Sequence, residues 1–149
     1  MPRLDATRVD AWRDFQAISS ALERAIDDAL MSDWDLPLGW FDVLQALARL
    51  GGRARPVEIA GELRLVPSSL SRRLDRLEEE GWVARQRPAR AADQRIVDVV
   101  LTARGRKLWR VANVSYRRAV QAAFAGTLSD TDIGDLQRVL AKLARNAAE

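Results

Sequence analysis

The apolar residues of this chain change their spacing at Gly81, and few small folds accommodate such a change. From Pro56 to Glu80 they recur every three to four residues, the period of a helix; in Trp82–Gln86 and Arg95–Leu101 they follow the two-residue alternation of a strand. Pro56 suits the first turn of a short helix reaching about Leu63. Leu65-Val66-Pro67-Ser68 then makes a tight connection into a second helix that runs to Glu80 and is closed by Gly81. In the second strand Val97, Val99 and Leu101 share one face and Asp98 takes the other. Residues 87–94 between the strands form a polar, partly basic hairpin tip.

Helical patterns flank this unit. Trp12, Phe15, Ile18, Leu22, Ile26 and Ala29 line one face of a helix predicted from Asp5 to Met31, and residues 31–37 break it with Asp, Trp and Pro. A second helix is expected from about Leu38 to Leu50, ending at Gly51-Gly52. Thr102 is a suitable N-cap for a helix reaching about Ala125, and Ser129-Asp130-Thr131-Asp132 opens a last one carrying Ile133, Leu136, Leu140 and Leu143. The fold class expected is mostly α with a small β-hairpin: a winged helix-turn-helix flanked by long dimerisation helices. Its parts are an N-terminal dimerisation helix and linker over 1–35, a winged helix-turn-helix over 36–103, and C-terminal dimerisation helices over 104–149.

The 149 residues include no cysteine and no histidine. Disulfides, thiol redox sensing, Cys/His zinc sites and Ser-His-Asp or Cys-His catalysis are thereby excluded. The eight glycines form no phosphate-binding loop, and no carboxylate set has calcium-loop spacing, so no cofactor and no metal are expected. Asp27 and Asp28 are adjacent and point to different sides of a helix, which argues against a carboxylate enzyme. No apolar run approaches a membrane span, and the expected location is the cytoplasm.

Charge is unevenly distributed. Residues 1–50 carry five arginines against nine carboxylates, residues 51–110 fourteen Lys/Arg against eight, and residues 111–149 five against four. A basic middle suits phosphate binding, because released counterions supply most of nucleic-acid affinity. Leu70, Leu74 and Leu77 form one buried stripe on the second helix of the pair, the helix that enters the major groove in this arrangement. Ser68, Ser69, Ser71, Arg72, Arg73 and Arg76 are the candidate DNA contacts on that helix, joined by Arg87, Arg90 and Arg95 on the hairpin. Asp93 is expected to brace Arg95. The competing reading is that the arginines are surface residues paired with Asp75 or Glu78–Glu80, and that the fold serves as a protein-interaction module that does not bind DNA.

The stretch from Pro56 to Gly105 resembles the MarR family of bacterial transcription regulators. The resemblance rests on Glu58-Ile59-Ala60, Ser68-Ser69-Leu70-Ser71-Arg72, Leu74-Asp75-Arg76-Leu77-Glu78, Gly81 with an apolar pair after it, Asp93-x-Arg95, and Leu101-Thr102-x-x-Gly105. It implies a homodimeric regulator of double-stranded DNA, usually a repressor, on a palindromic operator, with affinity altered by a small ligand. By that resemblance Ser69 and Arg72 contact bases, Ser68 and Arg76 phosphates, and Arg95 the minor groove. The hairpin tip departs from the family's usual acidic, Pro-containing turn in being longer and more basic.

Dimerisation is also expected from the residues, since the first and last helices offer more apolar face than one small winged unit covers. Within the MarR resemblance, a chain without Cys or His is left with a switch by a small, often aromatic or phenolic ligand in a cleft between the dimer helices and the winged domain, near the first two helices. Trp12, Trp34 and Trp40 are its candidate walls, and Arg13 the partner of a ligand carboxylate.

Overall fold

The structure, a computed structural model, describes residues 1–88 and 95–148. Its elements run α1 (Ala6–Trp34), α2 (Leu38–Arg49), β1 (Arg53–Ala54), α3 (Pro56–Leu63), α4 (Pro67–Glu79), β2 (Val83–Gln86), β3 (Asp98–Leu101), α5 (Ala103–Ala123), a 3-10 turn (Ala125–Thr127) and α6 (Asp130–Ala147). The helix-turn-helix is α3–α4 and the wing is β2–β3.

Caps fix most boundaries. Asp5 accepts from the Arg8 N–H, Thr102 from that of Gly105 and Ser129 from that of Asp132, each satisfying an otherwise orphaned donor of a first turn. α1 runs one turn past the expected end at Met31. Asp35, in the left-handed region, closes it by donating its N–H to the Leu30 and Met31 carbonyls. Gly81 does the same service after α4 at φ 76°, a conformation that disfavours any side chain.

Two expectations about the sheet are corrected. A third strand is present: β1 pairs antiparallel with β3 through Arg53↔Val100 and Ala54↔Val99, giving the order β1-β3-β2. Two residues are too short a run for alternation to reveal. The strand expected from Arg95 begins instead at Asp98, where pairing with Gln86 starts.

The core gathers Leu36, Phe41, Leu44 and Leu47 around α2, Leu70, Leu74 and Leu77 from α4, and Val83, Val99 and Leu101 from the wing. The leucine stripe of α4 is therefore buried as its spacing requires. Gly105 brings α5 against the wing base so closely that a Cβ there would collide with the Trp82 carbonyl. The outer helices are different. α6 buries no residue, and Trp12, Phe15, Ile18, Val139, Leu140 and Leu143 leave an apolar face open across α1 and α6.

Candidate nucleic-acid interface

α4 presents three flanks, set by its 3.6-residue turn. The leucine stripe faces the core. Ser71, Asp75 and Glu78, at i, i+4 and i+7, face the wing. Ser68, Ser69, Arg72 and Arg76 face outward, with Ser68, Arg72 and Arg76 exposed and Ser69 half-buried. The first turn of α4 has Pro67 in place of one N–H and no side-chain cap; the Ser69 and Leu70 N–H groups donate to the Val66 carbonyl, at 3.1 and 3.3 Å, which leaves the Ser68 N–H as the donor of that turn without an intrahelical acceptor. Arg76 lies 3.6 Å from Glu79 in an exposed pair that holds it only weakly.

Arg73 is a correction. It does not join the outward face: its guanidinium is half-buried and donates to the Gly39 carbonyl on α2 at 3.0 Å. The sequence carried the signal, since Arg73 stands three residues after Leu70 and four before Leu77, on the border of the buried stripe.

On the wing, Arg87 and Arg95 are exposed at either side of the hairpin tip; Arg90 and Asp93 lie outside the described residues. Arg53, unnoticed in the sequence, spans the sheet with Nη1 on Asp98 Oδ2 at 3.1 Å and Nη2 on Gln86 Oε1 at 2.9 Å. Arg85 was unnoticed too. From β2 it reaches Asp75 at 2.8 Å and Glu78 at 3.2 Å, across the gap to the wing-facing flank of α4.

Behind the helix-turn-helix lies a cleft of about 530 Å³ between α1, α2 and α4, lined by Glu23, Arg24, Asp27, Asp42 and Arg73 among others. Asp27 stands over the start of α2 and accepts the Leu38 N–H at 2.8 Å, a cap supplied from another helix. Burial pushes the Asp42 carboxyl up to about 6; Arg73 opposes that rise and Glu23 adds to it. Burial, with the Asp42 charge, also raises the Tyr116 hydroxyl.

The expected ligand walls are not brought together. Trp12 is exposed and stacks on Phe15, Trp34 donates its indole N–H to Ser115 Oγ at 3.0 Å, and Trp40 packs edge-on against Trp82. None of the three lines the cleft, and its guanidiniums are those of Arg24 and Arg73 rather than Arg13, which is exposed on α1. Among the described residues no group of carboxylates is arranged to hold a metal ion, and no helix is long and apolar enough to cross a membrane.

Comparison with known proteins agrees with this geometry. A model of the MarR family matches residues 34–95, the span that holds α2, the helix-turn-helix and the first strand of the wing. The transcriptional regulator PecS of Dickeya dadantii (strain 3937) is 34% identical over 106 residues, which are 70% of this chain and 62% of PecS. The chain thus matches about three-fifths of the length of that relative. Sco3205 of Streptomyces coelicolor, a MarR family transcriptional regulator solved in complex with DNA, superposes with a TM-score of 0.89 at 27% identity, over 97% of this chain and 94% of its own. The organohalide-sensing regulator RdhR-CbdbA1625, solved with 2,4-dichlorophenol bound, shares the fold at a TM-score of 0.84 and 21% identity, over 98% and 86%. With the family's motifs placed on a helix-turn-helix and wing, and with relatives alike in sequence and in fold, the chain belongs to the MarR family.

Proposed function

We propose that this protein is a sequence-specific DNA-binding transcriptional regulator, a homodimeric repressor on a palindromic operator, whose hold on DNA is altered by a small organic ligand. The observation that carries the reading is the outward flank of α4. Small hydroxyls stand at an uncapped helix start and Arg72 and Arg76 along its length, while the opposite flank is locked into the core. Arg87 and Arg95 extend the cationic surface along the wing. Sco3205, alike in fold and sequence, was solved on DNA, and the proteins this chain matches are regulators rather than enzymes.

A second copy is the natural cover for the apolar face of α1 and α6, since an exposed set of Trp12, Phe15, Ile18, Leu140 and Leu143 is costly in water. Two-fold pairing would present two α4 helices to half-sites about one DNA turn apart. For the effector, the cleft lined by Arg24, Asp42 and Arg73 is the best-placed cavity, because Arg73 belongs to the DNA-facing helix. A fold-mate's bound dichlorophenol supports a small aromatic ligand.

The test is to select duplexes from random DNA with the protein and measure their binding at several salt concentrations. Arg72→Ala and Arg95→Ala should each weaken binding by about 1–3 kcal/mol while the fold persists. Unchanged affinity in both variants, or no salt-dependent binding by the wild type, would sink the assignment.

A further inference from the structure

β2 is an edge strand: β3 pairs with one of its sides, and α4 packs beside it. An outward-pointing N–H on such an edge needs an acceptor from elsewhere. For Arg85 that acceptor is Glu78 of α4. The Arg85 N–H donates to Glu78 Oε2 at 2.9 Å, and its Nη1 donates to Oε1 of the same carboxylate at 3.2 Å. Nη2 meets Asp75 Oδ1 at 2.8 Å and the Ser71 carbonyl at 3.4 Å. One side chain thus engages the whole wing-facing flank of α4 through charge-assisted bonds, which are stronger than neutral ones.

The carboxylates make this arrangement informative. Asp75 and Glu78 sit on the helix assigned to meet phosphates, where negative charge opposes binding. Their geometry gives them a different task, since both, though exposed, bond Arg85 on the wing side of the helix. Arg85 is half-buried with its backbone N–H and both Nη atoms bonded to α4, and Arg87 lies two residues along the same chain. Any swing of β2 about α4 would displace Arg87 and Arg95 relative to Arg72.

We propose that Arg85 is a positioning residue that joins the recognition helix and the wing into one rigid DNA-reading unit without itself touching DNA. The proposal rests on the DNA-binding reading above. Its test uses the full-length protein, a duplex selected by the wild type from random DNA, and an unrelated duplex of equal length. Glu78→Ala, on the helix surface, should weaken binding to the selected duplex about ten-fold although it deletes a negative charge, and should leave the unrelated duplex bound as well or better. Arg85→Gln should weaken selected binding similarly with its salt slope unchanged, and Arg85→Lys should recover part of the loss. Amide exchange at Arg85 in the free protein should rise about ten-fold in Glu78→Ala.

Tighter binding of both duplexes by Glu78→Ala would mean that the carboxylate only repels DNA, and the proposal would fall. A salt slope reduced by about one for each Arg85 lost would make Arg85 a phosphate contact instead, and would overturn it equally. Should the wild type select no sequence, the DNA-binding reading fails by itself. Exchange at Arg85 then decides the clamp, and an unchanged rate refutes it.

Discussion

Asp42 gives the sharpest test of the chemistry in the cleft. Its carboxyl is raised from 3.8 to about 6, chiefly by burial, against the pull of Arg73. The folded protein therefore holds this proton more tightly than the unfolded chain does, so protonation favours the fold. The stability it adds is fully present below pH 3.8 and is lost as pH rises through about 6. Two pKa units correspond to at most about 3 kcal/mol, and solvent reaching the carboxyl through the open cleft reduces this to about 1–2 kcal/mol. Asp42→Asn keeps the shape and removes the titration. Urea unfolding of wild type and variant, at one protein concentration, should be compared from pH 4 to 7.5. Over that range the wild type should lose about 1–2 kcal/mol more than Asp42→Asn. The other two shifted groups lie outside the window. The Tyr116 hydroxyl titrates far above it, and Asp132 is held below the ordinary carboxylate range by the Ser129 N–H and hydroxyl, so its stabilising effect is lost only on further acidification. Parallel pH profiles for the two proteins would refute the assignment of a buried, proton-holding Asp42.

Three further outcomes follow from the packing. Thr102→Ala removes both the cap on the Gly105 N–H and the 2.7 Å bond to the Gly81 carbonyl, and should cost about 1–2 kcal/mol in chemical denaturation. Gly105→Ala forces α5 off the Trp82 carbonyl and should destabilise the fold by about 1–3 kcal/mol, visible as a lowered melting temperature. Ile18→Glu combined with Leu140→Glu places charge on the open apolar face and should turn the proposed dimer into a monomer in sedimentation. A dimer that survives both substitutions would place the interface elsewhere.

Within the winged unit, what the sequence disclosed was what repeats along one element. The leucines at 70, 74 and 77 announced which side of α4 is buried, and they are buried. Thr102 and Ser129 announced helix starts because a hydroxyl before a first turn meets an orphaned N–H, and both make that bond. Gly81 announced the end of α4, where φ is 76°. The change of period after it correctly separated helices from wing, while β1, at two residues, was too short to register. That Ser68, Ser69, Arg72 and Arg76 lie off the buried stripe was legible for the same reason: a residue's side of its own helix is a local property.

Tertiary structure decided what stands opposite each side. That Arg73 borders the buried stripe is written in the sequence, but its acceptor, a carbonyl 34 positions away on α2, is not, while Arg76 one turn on stays exposed. Arg85 reads as one more basic residue until β2 is laid beside α4, and Asp27 as a stray carboxylate until α2 begins beneath it. The tryptophans of α1 and α2 stand apart from the cleft lined by Asp42 and Arg73, with their indoles against Phe15, Ser115 and Trp82. Periodicity encodes the direction of a side chain about its own axis, whereas a partner is chosen by the crossing of elements far apart in the chain. For this protein the first sufficed to single out the helix proposed to face DNA, and the second was needed to show which side chains bind that helix to α2 and the wing.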